Sequence, residues 1–270
     1  MNQGILPKRA AQACLALAML SLGLPARVNA QGGGGGRGGP PVTPKANEPL
    51  DLTGYWVSVV TEDWRYRMVT PPKGDFPGLP VNAEGRRVAN TWDPAKDIAA
   101  GEQCRSYGAG AIMRVPERLH ITWQDDTTLK LETDAGMQTR LFHFGGTPPQ
   151  GTAPSWQGYS AANWEGLNPR VSALGFGQTD GVRPGQEGYL KVLTSQLRPG
   201  YLRKNGVPYS ANATVEEYFD SFKEPNGDIW LIVTAIVTDP QYLAQPYITS
   251  SNFKKLPDAS GWNPTQCEAQ

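Results

Sequence analysis

Two histidines, three cysteines and a scatter of carboxylates are the groups through which this 270-residue chain could carry out acid–base or metal chemistry. His120, His143 and Glu165 are the candidates for proton transfer, because a positioned imidazole or carboxyl can move a proton without a cofactor. A metal centre fails on count. Two histidines plus one of Glu102, Glu132 or Glu165 make only a minimal ligand set, so no metal and no other cofactor is expected. Gly158-Tyr159-Ser160 begins like a nucleophile elbow, but Ala161-Ala162 follow where a glycine is required, and Ser160 reads as part of a turn. The glycine run from Gly32 to Gly39 has no strand before it, no helix after it and no Lys-Ser/Thr pair, so it is not a phosphate cradle.

Aromatic residues are the stronger signal, with eight tryptophans and ten tyrosines. Trp123, Tyr159, Trp164, Tyr209 and Tyr218, with Arg140 for charge, are the residues expected to line a small-molecule site, since such sites combine aromatic walls with a few polar groups. Arg105 and Glu217 are further sources of charge for it. The competing reading places the same aromatics in a β core.

The elements that must position these residues are mostly strands. Val215–Phe222 and Ile229–Thr238 flank Glu224-Pro225-Asn226-Gly227-Asp228, whose Asn-Gly pair suits a hairpin turn. Both faces of the second arm are apolar enough to suggest that both are covered. Arg118–Gln124, Thr128–Thr133 and Thr139–Phe144 form a meander with short links, placing both histidines on adjacent strands of one sheet. Asp51–Val60, Trp64–Val69, Tyr189–Thr194 and Tyr247–Phe253 are further strands, and Asn82–Thr91 is a short helix capped by Asn82. Leu167–Glu187 reads as an irregular insertion.

Lys8 and Arg9 precede an apolar run from Ala13 to Leu24 and the small residues Val28-Asn29-Ala30. This predicts a secretory signal over residues 1–30 and no transmembrane segment. Cys14 lies within that leader. Residues 31–49, rich in Gly and Pro, predict a flexible tether, and residues 50–270 one domain. Setting aside Lys8, Arg9 and Arg27 leaves 22 basic against 25 acidic residues, a charge of about −3 that argues against nucleic acid as a partner. An exported chain with Cys104 and Cys267 remaining predicts a disulfide between them.

Gly54-Tyr55-Trp56 resembles the Gly-X-Trp opening of lipocalins and other calycins, in which the tryptophan plugs one end of an antiparallel barrel. The order Trp156-Gln157-Gly158-Tyr159-Ser160, Asn163-Trp164-Glu165-Gly166, Tyr189–Thr194, Gly206-Val207-Pro208-Tyr209-Ser210 and Asp239-Pro240 resembles a widespread group of exported bacterial proteins of uncharacterised function. The resemblance spans Leu52 to Cys267. It implies export, the disulfide and a β fold, and no reaction. Tyr159 stands where many of that group carry histidine.

The expected architecture is therefore an all-β, antiparallel, lipocalin-like barrel with one short helix and long loops, a β-sandwich being the alternative. The expected function is binding of an apolar or aromatic small molecule in the barrel, in the periplasm or outside the cell. The alternative is a cofactor-independent hydratase, lyase or isomerase using His120, His143 or Glu165.

Overall fold

The computed structural model describes residues 42–166 and 188–269. The expected signal, the tether as far as residue 41 and the insertion at 167–187 lie outside the described residues. Strand β1 (Gly54–Val59) is followed by helices α1 (Trp64–Arg67), α2 (Ala83–Ala89) and α3 (Pro94–Ala99), then by 3-10 turns at Gln103–Tyr107 and Ile112–Arg114. Strands β2 (Arg118–Trp123), β3 (Thr128–Thr133), β4 (Thr139–Phe144), β5 (Tyr159–Gly166), β6 (Gly188–Ser195), β7 (Gly200–Arg203), β8 (Val207–Tyr209), β9 (Thr214–Lys223), β10 (Ile229–Thr238) and β11 (Tyr247–Leu256) complete the order.

Among the described residues, nine strands close into a barrel in the order β1-β11-β10-β9-β6-β5-β4-β3-β2, and β7 and β8 form a separate hairpin. Closure leaves the barrel no unpaired edge. No sandwich forms. The neighbours are antiparallel except β4 and β5, which run parallel, with Phe142 opposite Ser160. The long connection from Gly145 to Gly158 permits this, because parallel neighbours need a crossover rather than a tight turn.

Strand alternation fills the barrel axis. Trp56, Leu119, Ile121, Leu129, Leu131, Phe142, Leu190, Val192, Phe219, Leu231, Val233 and Phe253 are buried and pack as one cluster. Each contributes about 1.5–3 kcal/mol by leaving water. Trp56 is wholly inaccessible, its indole N–H donates to the Leu52 carbonyl at 2.9 Å, and Lys255 Nζ lies 5.3 Å from its ring centre.

Several expectations need correction. Trp64–Arg67 is a helix, not a strand: at four residues no hydrophobic period can decide, and a partly buried ion pair of Arg67 with Glu62 holds it in place. Among the described residues the barrel carries three short helices, the Asn82-capped α2 among them, because Asp93-Pro94 does more than stop α2. Asp93 Oδ1 accepts from the Ala95 N–H at 3.1 Å and Pro94 sits in the first turn, so the pair starts α3. The outer face of β10 is only half covered. Leu231, Val233 and Val237 are buried, whereas Trp230, Ile232 and Ile236 are shielded only by cross-strand neighbours such as Phe222, Asn252 and Ile248.

Residues just before Leu50 are also tied to the barrel. Lys45 N–H donates to the Asp126 carbonyl at 3.2 Å, Trp123 Nε1 to Glu48 at 2.9 Å and Trp164 Nε1 to the Pro44 carbonyl at 2.9 Å. The last residues of the expected tether thus cover one barrel end. The opposite end is covered by α2, the 3-10 turns and the β7–β8 hairpin, whose apolar residues form a second core around Leu202, Val207 and Tyr209. Among the described residues no helix is long and apolar enough to cross a membrane.

Candidate ligand-binding cleft

The capped end of the barrel gathers the chain's buried polar groups. Arg140 on β4 and Glu217 on β9 point inward from strands separated by β5 and β6, and they meet as a wholly inaccessible pair with bonds of 2.8 and 2.5 Å. Arg140 Nη2 also donates to Thr194 Oγ1 at 3.2 Å, and that hydroxyl shares a 2.8 Å hydrogen bond with Ser160. Ser160 is thus part of a structural network inside the barrel rather than a turn or a nucleophile. Glu117 lies near this network with neither carboxyl oxygen hydrogen-bonded. Burial first, and then the charge of Asp134, push its carboxyl well above the usual range against the opposing charges of Arg140 and Arg67.

Beyond Tyr209 the cap opens into a cleft of about 300 Å³, at the lower end of the range for small-molecule sites. Trp92 and Tyr242 contribute aromatic walls beside Tyr201 and Tyr209, and Lys96, Asp97 and Arg105 contribute charge. The Asn205-Gly206 turn between β7 and β8 sets the geometry on one side. Gly206 has φ +82°, and a Cβ there would stand 2.3 Å from Trp92 Cβ and Cγ, so the indole rests directly on the turn. Tyr209 is held similarly closely, since a Cβ on Gly108 or Gly200 would collide with its hydroxyl.

Within the cleft Asp97 is the organising acceptor. It takes 2.9 Å hydrogen bonds from Arg105 Nη1 and from the Tyr201 hydroxyl, while the Arg105 guanidinium lies 4.8 Å from the Tyr201 ring centre. Burial opposes the Arg105 charge, but the bond to Asp97 and nearby negative groups more than offset it, and its pKa stays above the ordinary value. Burial raises the Tyr201 and Tyr209 phenols, so both remain neutral hydrogen-bond donors. Three residues lining this cleft hold a buried donor that makes no hydrogen bond: Trp92 Nε1, the Tyr209 hydroxyl and Arg105 Nε, the last 3.6 Å from Glu102. Native structures leave few such groups unpaired, and those they do leave call for an explanation.

The residues singled out in the sequence are dispersed. Tyr209 lines the cleft and Arg140 sits beneath it in the barrel. Trp123 and Trp164 lie at the far end in an aromatic group with Phe144, at centroid separations of 5.3–6.4 Å, beneath residues 44–48. Tyr159 and Tyr218 are on the outer wall, the first stacked on His143 at 4.8 Å and the second under Lys191. His120 also faces outward, stacked on Tyr55 at 4.1 Å with Nδ1 3.3 Å from Glu132. The histidines are not on adjacent strands, because β3 runs between β2 and β4. Burial lowers the His143 pKa, partly countered by Asp125. Glu165, accepting from the Tyr189 hydroxyl at 2.9 Å, lies on the outer wall as well. The fold does not bring His120, His143 and Glu165 together.

Trp92, Tyr201, Tyr242 and Glu117 escaped the sequence reading. The Asp93-Pro94 helix start was the available signal for Trp92, since it places that residue at the junction of two helices. Among the described residues no three His, Cys, Asp or Glu side chains converge in a way that could hold a metal. No family model, curated protein or solved structure matches this chain.

Proposed function

We propose that this is an exported small-molecule-binding protein whose ligand sits in the cap cleft rather than along the barrel axis. The carrying observation is that three residues lining one aromatic-walled cleft, Trp92, Arg105 and Tyr209, each hold a buried donor without a hydrogen bond, Arg105 Nε having only the Glu102 carboxylate at 3.6 Å. Groups of this kind favour a ligand that presents acceptor oxygens and a ring face. Lys96 and Arg105 are balanced by Asp93 and Asp97 around the cleft, so the favoured ligand is neutral. Export is supported by the basic–apolar amino terminus, the disulfide and the resemblance to the exported bacterial group.

Nitrogen-15 labelling of the tryptophan indoles gives a direct test, with the Trp92 resonance assigned by its loss in Trp92→Phe. Acetophenone, benzoate and glucose serve as neutral carbonyl, anionic and polyol probes. The Trp92 N–H signal should move saturably with acetophenone and less with benzoate. If none of the three moves it at millimolar concentration, the cleft reading fails; a preference for benzoate would overturn the neutral-ligand reading.

A further inference from the structure

A second, smaller pocket of about 80 Å³ opens between α1, the turn at Ile112–Arg114 and the end of β7, on different residues from the cleft above. In the same measure this is room for roughly five water molecules. Arg67, Arg114, Arg203 and Lys204 all line it. Glu62 pairs with Arg67, and Asp63 with Arg114 at 2.7 Å. Four cations against these two carboxylates leave a local excess of two positive charges. Arg67 is fully engaged, through Glu62, the Arg114 carbonyl at 2.9 Å and Ser58 at 3.2 Å.

Arg203 is not. It is 7% exposed, its Nη2 donates to the Pro77 carbonyl at 3.0 Å, its plane lies over Tyr66 with Tyr247 alongside, and Nη1 has no hydrogen-bond partner. Burying a guanidinium that has no ion-pair partner of its own is expensive; Asp63, already paired with Arg114, offsets this only in part, and three arginines around one opening repel one another. Burial, followed by the Arg114 charge in the case of Arg67, lowers the pKa of both Arg67 and Arg203. An anion in the pocket would relieve both effects.

We propose that this pocket is a binding site for a small oxyanion, a phosphate group or its charge equivalent, held by Arg203 and Lys204. Arginine forks match the oxygens of such groups in geometry as well as charge. The rim adds a second element of recognition. Met68 and Val69, which follow α1 and line the opening, are 58% and 65% exposed, apolar surface beside a cationic site. The same site therefore suits a phosphate that carries an apolar tail better than the free ion.

Isothermal titration of the full chain at low ionic strength with inorganic phosphate and with octyl phosphate separates the two sources of affinity. Both should bind saturably, octyl phosphate about tenfold more tightly, and Met68→Ala should reduce that margin. Arg203→Gln should weaken both by about tenfold or more. Lys204 is half-exposed, so Lys204→Gln keeps the test valid if the Arg203 variant does not fold; it should weaken both about threefold. Lack of saturable binding, or unchanged affinity in Lys204→Gln, overturns the site. Equal affinity for the two phosphates, or an undiminished margin in Met68→Ala, overturns the role of the rim.

Discussion

Glu117 shows how one side chain can set the pH dependence of the whole fold. Its carboxyl is buried without a hydrogen bond, and burial raises its pKa above the ordinary 4.5. Between the unfolded and folded values the native protein holds a proton that the unfolded chain releases, so stability is complete below about pH 4.5 and falls as pH rises above it. Glu117→Gln keeps the shape and removes the titration. The variant should therefore be more stable than wild type at pH 8, with the advantage vanishing near pH 4.5. Urea midpoints at the two pH values check this, and a difference independent of pH would show that the Glu117 carboxyl titrates alike in the folded and unfolded chain. The Arg140–Glu217 pair is a contrasting case. Its charges are mutually satisfied, and removing one partner from such a pair typically costs about 3–5 kcal/mol.

At the scale of elements, the β7–β8 hairpin is the piece on which the candidate cleft depends. Tyr201 and Tyr209 come from its two strands, and its Asn205-Gly206 turn seats Trp92. Gly206→Ala must place a Cβ against the indole while holding φ near +82°. We expect a loss of about 1–3 kcal/mol, seen as a lowered midpoint in thermal unfolding, together with a moved Trp92 indole resonance. An unchanged indole signal would mean that the turn does not position the residue. The hairpin was only partly legible in sequence: Asn205-Gly206 marks the turn, but β7 and β8 are four and three residues long, too short for alternation to show. β5 was obscured for another reason. Ser160, Ala161, Ala162 and Asn163 have little strand preference of their own, and pairing between β4 and β6 makes the strand.

Across the whole molecule, the Cys104–Cys267 bond joins residues 163 positions apart and anchors the carboxyl-terminal segment beside the turn that carries Arg105. Because it closes so long a loop, its loss should lower stability by about 3–5 kcal/mol. The Cys104→Ala/Cys267→Ala double variant should unfold at clearly lower urea and also bind acetophenone more weakly, since Arg105 neighbours Cys104. Equal midpoints for the variant and wild type would show that the barrel needs no covalent closure.

By itself the sequence determined the class of fold, most strand positions, the Asn82-capped helix and the identity of the bonded cysteines. These follow from local causes: period-two alternation, turn residues and the count of thiols. It could not determine which inward side chains would meet. Arg140 and Glu217 are 77 residues apart in the chain and become partners only when the barrel closes, and Trp92, Arg105 and Tyr209 share a cleft only because a hairpin, a helix start and a 3-10 turn fold over the same end. The outward histidines make the same point in reverse. Their alternation is readable in sequence, but which face becomes the interior is settled by which apolar set the closed sheet can bury.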